Sequence, residues 1–155
     1  MTTLEKKVDA LVRFCACDDT DAVERARAEL QALMYESMEH DVRADVETKI
    51  RWILLEIGVP DALLGHSYLM SAIKLAVEDA RACNAITKEL YPRVAAMHLT
   101  SSSRVERAIR HAIEAAWDRC DLEVLARYFG NTIHAAKGKP TNGEFIARIA
   151  NVVRH

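Results

Sequence analysis

The stretch TSSSRVERAIRHAIEAAW, Thr100 to Trp117, is the strongest constraint on how this chain can fold. Val105, Ala108, Ile109, Ala112, Ile113 and Ala116 recur in it at three- and four-residue steps, a period that a helix converts into one apolar face. Ser103, Arg104, Glu106, Arg107, Arg110, His111 and Glu114 then share the opposite face. The apolar side requires a core to pack on, while the long donors and acceptors on the other side suit the edges of base pairs. The pattern predicts a DNA recognition helix.

The rest of the chain reads as the same class of structure. Five glycines and three prolines in 155 residues, with half the residues hydrophobic, favour an all-α protein over a sandwich or barrel. Thr2 with Glu5 makes a capping-box pattern for a helix over Leu4 to Cys15, striped by Leu4, Val8, Leu11, Val12 and Cys15. Asp18 to Asp21 interrupts it. Asp21 with Glu24 repeats the cap signal before a second stripe of Val23, Ala26, Leu30, Leu33, Met34 and Met38, so the two are expected to form an N-terminal helical hairpin. Its apolar faces must pack on each other, on the rest of the chain or on a second copy in a homodimer.

A third helix from about Val46, with Ile50, Ile53, Leu54 and Ile57 inward, is expected to stop at Gly58-Val59-Pro60. A short loop through Gly65 leads to a fourth, striped by Leu69, Ala72, Ile73, Ala76 and Val77. A fifth pattern spans Cys83 to Met97, but Pro92 lacks a donor and clashes with the preceding turn, so a kink or restart is expected there. A restart makes Tyr91 to His98 a short helix joined through Leu99 to Ser102 to the stretch described first. Two helices on so short a connection form a helix-turn-helix, whose second member enters the major groove. Asp121 caps a further helix with Leu122, Leu125, Ala126 and Phe129 inward, ending at Gly130. Asn131 to Gly143 is the longest irregular stretch. Thr141 with Glu144 caps a last helix carrying Phe145, Ile146, Ile149, Val152 and Val153.

Charge divides the chain. Residues 1–48 hold six Lys or Arg against twelve Asp or Glu, and residues 49–155 hold fifteen against eleven, within a net charge of -2. Phosphate rewards local positive charge, so the C-terminal portion suits a double-stranded DNA surface and the acidic extension, residues 1–47, does not. No apolar run is long enough to span a bilayer and the first twenty residues are too charged for a signal peptide, so a cytoplasmic, nucleoid-associated protein without membrane partners is expected. Cys15, Cys17, Cys83 and Cys120 lack zinc-site spacing and are expected to be reduced thiols.

Within the exposed face, Arg107 and Arg110 lie one turn apart and are the best candidates for bidentate guanine contacts. Arg104, in the first turn, suits a phosphate or flanking base, and His111 lies one turn beyond Arg107. Glu106 has two uses: accepting from a cytosine amino group, or closing a capping box with Ser103. Lys137 and Lys139, before a capped helix, suit phosphate, although an exposed loop explains them equally well. No glycine-rich phosphate loop, HExxH or G-x-S-x-G occurs, and His98, His111 and His134 have no suitably spaced carboxylates or cysteines. Neither catalysis, a metal nor a cofactor is expected.

Four separated motifs, SRVERAIRHAIEAAW (Ser103 to Trp117), EIGVP (Glu56 to Pro60), ITKELYP (Ile86 to Pro92) and KPTNGEFIA (Lys139 to Ala147), closely resemble the C-terminal effector domain of the master sporulation response regulator, stage zero sporulation protein A. The resemblance covers about Thr48 to Arg154, in order. It implies a six-helix DNA-binding domain over residues 48–155 with a helix-turn-helix, binding tandem sites as a head-to-tail pair and touching RNA polymerase sigma factor. It also implies base and phosphate contacts from Ser103, Arg104, Glu106, Arg107, Arg110 and His111, which favours Glu106 as a reader over a cap, and puts Lys137 and Lys139 near the DNA backbone. The family regulator carries a phosphorylated receiver domain in front, for which residues 1–47 are too short and too helical. Cys120 stands where the family prefers glycine after the recognition helix. The expected function is sequence-specific regulation of transcription. The alternative is an interaction module that modulates a full-length regulator or sigma factor without binding DNA.

Overall fold

The computed structural model describes the backbone of residues 5–6, 9–11, 20–130 and 138–155; within the long N-terminal helix it describes the side chains of residues 21–33 and 45–57. The described residues form helices and turns with no strand, as the all-α expectation requires. They fall into two compact units, 1–45 and 46–155.

In the first unit, residues 5–6 and 9–11 are helical. Leu4, Val8, Val12, Cys15 and Cys17 lie outside the described residues. Leu11 is 47% exposed and the buried residue is Ala10, so this part of the predicted stripe is displaced by one position. Ala26 is buried, with Val23, Leu30 and Leu33 half-buried beside it on the expected face.

The predicted second and third helices are one element, α1 (Thr20–Ile57), 38 residues long. Residues 39–45, EHDVRAD, contain neither glycine nor proline, so nothing in the backbone chemistry ends the helix between the two stripes. Asp21 lies inside the first turn, where its charge suits the helix dipole, and not ahead of it as a cap. The C-terminus is as expected: Gly58 takes φ 84°, and the amides of Gly58 and Val59 reach back to the carbonyls of Leu55 (3.0 Å) and Leu54 (2.9 Å). This pair of bonds closes the helix end, and Pro60 prevents its resumption.

The second unit is built around α2 (Leu64–Glu78), whose Leu69, Ala72, Ile73 and Ala76 are fully buried. After it a tight 3-10 turn (Ala80–Ala85) and a wide π turn (Ile86–Leu90) lead into α3 (Tyr91–Met97). Pro92 explains the widening. It has no amide to return to the preceding turn, and the Tyr91 amide instead bonds to the Ile86 carbonyl five residues back. The helix therefore restarts at Tyr91.

Next come α4 (Ser102–Trp117), α5 (Leu122–Phe129) and α6 (Asn142–Arg154). In α5, Leu125 and Phe129 are buried as predicted, but Leu122 is 80% exposed and Ala126 is exposed, while Val124 and Tyr128 face inward. The short helix packs through adjacent pairs one turn apart. The capping box of Thr141 and Glu144 is present, and Phe145, Ile146, Ile149 and Ala150 from α6 fill the core with Ile50, Leu54, Ile57, Leu69, Ile73, Ile109 and Ile113. Arg154, at the end of α6, donates to the Val77 carbonyl (3.2 Å) and to the Ala76 carbonyl, capping the end of α2. No described helix is long and apolar enough to cross a membrane.

Candidate nucleic-acid interface

The candidate reading helix is α4, and contacts at its start and on two sides fix its position. The turn before it is closed by the amides of Leu99 and Thr100 bonding to the carbonyls of Ala96 (3.4 Å) and Ala95 (2.9 Å). That geometry calls for a left-handed residue, and Leu99 supplies it with φ 50°, its side chain 96% exposed. His98 packs edge-on against the Tyr68 ring at 4.9 Å and shares a 2.8 Å hydrogen bond with the Ser71 hydroxyl, tying the turn to α2. His98 is thus a structural side chain.

Ser101 begins the helix, its hydroxyl accepting from the Arg104 amide at 3.4 Å. The Ser103–Glu106 capping box considered from the sequence is absent, because the chain turns helical two residues earlier. Ser103 is left exposed on the first turn.

Two side-on contacts then hold α4 from either side. Gly65 lies in the first turn of α2, not in a loop, and the backbone of α4 runs against it: a Cβ there would come within 2.1 Å of the Ala108 carbonyl oxygen. From α6, Asn142 sends one amide hydrogen to the Tyr91 hydroxyl and the other to the Glu106 carbonyl, both at 3.0 Å. Asn142 is buried, and burial raises the Tyr91 phenol above its ordinary pKa, opposed by the bond from Asn142. Sequence reasoning singled out neither Gly65 nor Asn142 for this role. The only signal was the asparagine following the Thr141 cap.

With Val105, Ile109, Ala112, Ile113 and Ala116 buried and Ala108 half-buried, α4 presents Ser103, Arg104, Arg107, Arg110 and His111 to solvent, with Glu106 half-buried. The helix stands as a ridge between two grooves. Arg104, Arg107 and His111 face the one bounded by Leu64, Tyr68 and Thr100. Ser103, Glu106 and Lys139 face the other, bounded by Thr87 and Thr141, and Arg110 borders both. The predicted readers are therefore on one ridge but on two flanks.

Their ionic partners differ. The Arg110 guanidinium is paired with the Glu106 carboxylate four residues earlier, and Lys139 is paired with Asp118 at 2.8 Å. Arg104 and Arg107 have no carboxylate partner among the described residues. Lys137 and His134 lie outside the described residues. After α4 the Arg119 and Cys120 amides both reach the Ala116 carbonyl, and Cys120 does not take a positive φ, so the turn closes without glycine. Cys83 and Cys120 are free thiols, and burial raises both above their usual pKa. Among the described residues no group of His, Cys, Asp and Glu has the arrangement of a metal site.

A short helix, a four-residue turn and an exposed arginine ridge recur together in DNA-binding proteins. Residues 50–153 match the family described as Sporulation initiation factor Spo0A C terminal. The chain belongs to this family. The Spo0A C-terminal domain is a DNA-binding effector domain, so the chain carries the fold of a DNA-binding regulator. The match starts within α1 and ends at the last turn of α6, taking in every described element of the second unit. All four motifs noted in the sequence fall within it. Of these, EIGVP is the closed end of α1, ITKELYP the π turn and start of α3, and KPTN the cap and clasp of α6.

Proposed function

We propose that the domain binds double-stranded DNA sequence-specifically as a transcription regulator, laying α4 in the major groove. Arg107 and Arg110 read guanine, Glu106 accepts from a base amino group, and Ser103, Arg104 and His111 contact flanking bases or phosphates. Lys139, with Lys137 beside it in the sequence, serves the DNA backbone. The observation that carries this reading is the exposed arginine ridge of α4, on which Arg104 and Arg107 have no carboxylate partner among the described residues. Free guanidinium groups on a firmly held helix are suited to an external anion or base edge.

The test begins with selection of bound sequences from a random DNA pool. Arg107→Ala is expected to weaken binding to the enriched site about fivefold or more, as loss of a bidentate guanine contact worth about 1 to 3 kcal/mol requires. Unchanged affinity with intact helicity would overturn the assignment of the ridge.

A second reading, a module acting through protein contacts with a full-length regulator, sigma factor or another copy, has its support in Trp52 and Leu55. These lie about one turn apart on α1 and each is 63% exposed. Mobility shifts with and without residues 1–47 separate the readings. Binding only after truncation indicates an inhibitory extension, and no binding in either form favours the protein-contact reading.

A further inference from the structure

We infer that Glu106 and Asp118 are built-in counter-ions of Arg110 and Lys139 that make these two cations costly to spend on random DNA, and that Glu106 thereby sets specificity. The inference rests on the reading face proposed above. Its starting observation is the unequal treatment of the cations there. Arg104 and Arg107 are unpaired among the described residues, whereas the two that flank the groove between α4 and α6 are both held by carboxylates.

The pairs have independent origins. Glu106 and Arg110 are neighbours on the same helix, four residues apart. Asp118 and Lys139 come from different elements, the C-cap of α4 and the segment preceding α6. Both pairs are partly solvent-exposed, so each opens at small cost, and neither blocks the surface outright.

Displacement by DNA has a different balance in the two kinds of complex. A phosphate of any sequence can replace the carboxylate on Arg110 or Lys139, but the carboxylate is then left without its cation in the negative field of the duplex. In the proposed specific complex Arg110 gains guanine acceptors and Glu106 gains a base amino donor, so both halves of the opened pair recover bonds. For the Glu106–Arg110 pair the penalty therefore falls mainly on non-specific binding, whereas Asp118, whose cation meets only backbone phosphate, weakens specific and random complexes alike. A cation already neutralised by its own protein also releases less of the DNA counter-ion atmosphere, which makes the salt dependence shallower than a count of basic residues suggests.

The experiment compares the full chain with Glu106→Gln, Asp118→Asn and Glu114→Gln, on a random-sequence duplex and on the duplex enriched from the pool, across a salt series. Glu114 is exposed on α4 and has no partner among the described residues, so its variant makes the same charge change without freeing a cation. Glu106→Gln and Asp118→Asn are expected to tighten random-duplex binding about threefold each, with a salt slope steeper by about one phosphate. The gain from Glu106→Gln should vanish in an Arg110→Ala background, and that from Asp118→Asn in a Lys139→Ala background. Glu114→Gln should be indifferent to both backgrounds. Gains that persist after the cation is removed reduce the effect to general charge and overturn the inference, as does unchanged random-duplex affinity in a chain that otherwise binds its site. A wild-type chain that binds no duplex overturns the proposed function, and this inference with it.

Discussion

Gly65→Ala is a substitution for which two physical arguments predict opposite signs. In the first turn of a helix, alanine is intrinsically favoured over glycine by about 1 kcal/mol. If propensity decided, the variant would be more stable. The local geometry opposes this. The added Cβ would sit 2.1 Å from the Ala108 carbonyl oxygen, 2.8 Å from its carbon and 2.7 Å from the Ala112 Cβ. All three belong to backbone or to the first side-chain atom, which cannot rotate away, so relief requires moving α4 from α2 by about 1.4 Å to reach ordinary contact at roughly 3.5 Å. Overpacking of this kind costs about 1 to 3 kcal/mol. Because backbone is the obstacle, the upper end applies, and after the propensity gain a net loss of about 2 kcal/mol is expected.

Denaturant unfolding followed by circular dichroism measures it, with Gly58→Ala as the comparison. Gly58 has φ 84°, and a Cβ added there would meet nothing within 4 Å, so that change costs backbone strain alone, about 1 kcal/mol. Gly65→Ala should also weaken binding to the selected DNA site, since the helix that moves is the ridge itself. Gly58→Ala should not. A Gly65→Ala variant as stable as wild type, or more so, would refute the close approach.

Three further outcomes are expected. Leu99→Gly relieves a left-handed leucine whose 96% exposed side chain contributes little burial, and should raise stability by about 1 kcal/mol in the same unfolding assay. Asn142→Ala removes both bonds that clasp α6 to Tyr91 and to the Glu106 carbonyl, and should cost about 2 kcal/mol, with faster amide exchange in the middle of α4. The Tyr128 phenol, desolvated by burial and donating to the Glu56 carboxylate, is pushed up to about 12, which ultraviolet titration of the phenolate would detect. Since the folded value lies above the ordinary value of 10.0, its stabilisation is complete below pH 10 and is lost as pH rises towards 12; Tyr128→Phe should flatten that alkaline limb.

The apolar period alone located α2, α4 and α6, because a buried helical face repeats in the sequence wherever one side meets a core. End signals worked where they were chemically exclusive: Gly58 before Pro60, Pro92 at the restart, and Thr141 with Glu144. They failed where several residues could do the same work. Three consecutive serines can each cap a helix, and only the packing of α4 selects Ser101 over Ser103. The expected break between the second and third stripes had no terminator to enforce it, and α1 runs through. In α5, eight residues are too few for periodicity to distinguish Leu122 and Ala126 from Val124 and Tyr128.

The candidate site was legible as a list and not as an arrangement. Ser103, Arg104, Arg107, Arg110 and His111 are exposed on one helix as their spacing required. The four-residue step from Glu106 to Arg110 was a local signal for the paired arginine, one that Arg104 and Arg107 lack, but nothing in the sequence connected Lys139 with Asp118 across a loop. The Lys139–Asp118 pair depends on which segments meet, and that is a tertiary property. The same holds for Gly65 and Asn142, whose roles are defined by carbonyl groups on another helix.

Those two carbonyls make α4 a poor candidate for transplantation. Transferring the outward side chains of α4 onto another helix-turn-helix scaffold would carry over its chemical alphabet but not its seating. The Ala108 carbonyl needs a neighbour without a side chain, and the Glu106 carbonyl takes its second hydrogen bond from a buried amide. A chimera that keeps the seating of this helix must import the glycine and the asparagine with it, though neither is among the residues proposed to read DNA.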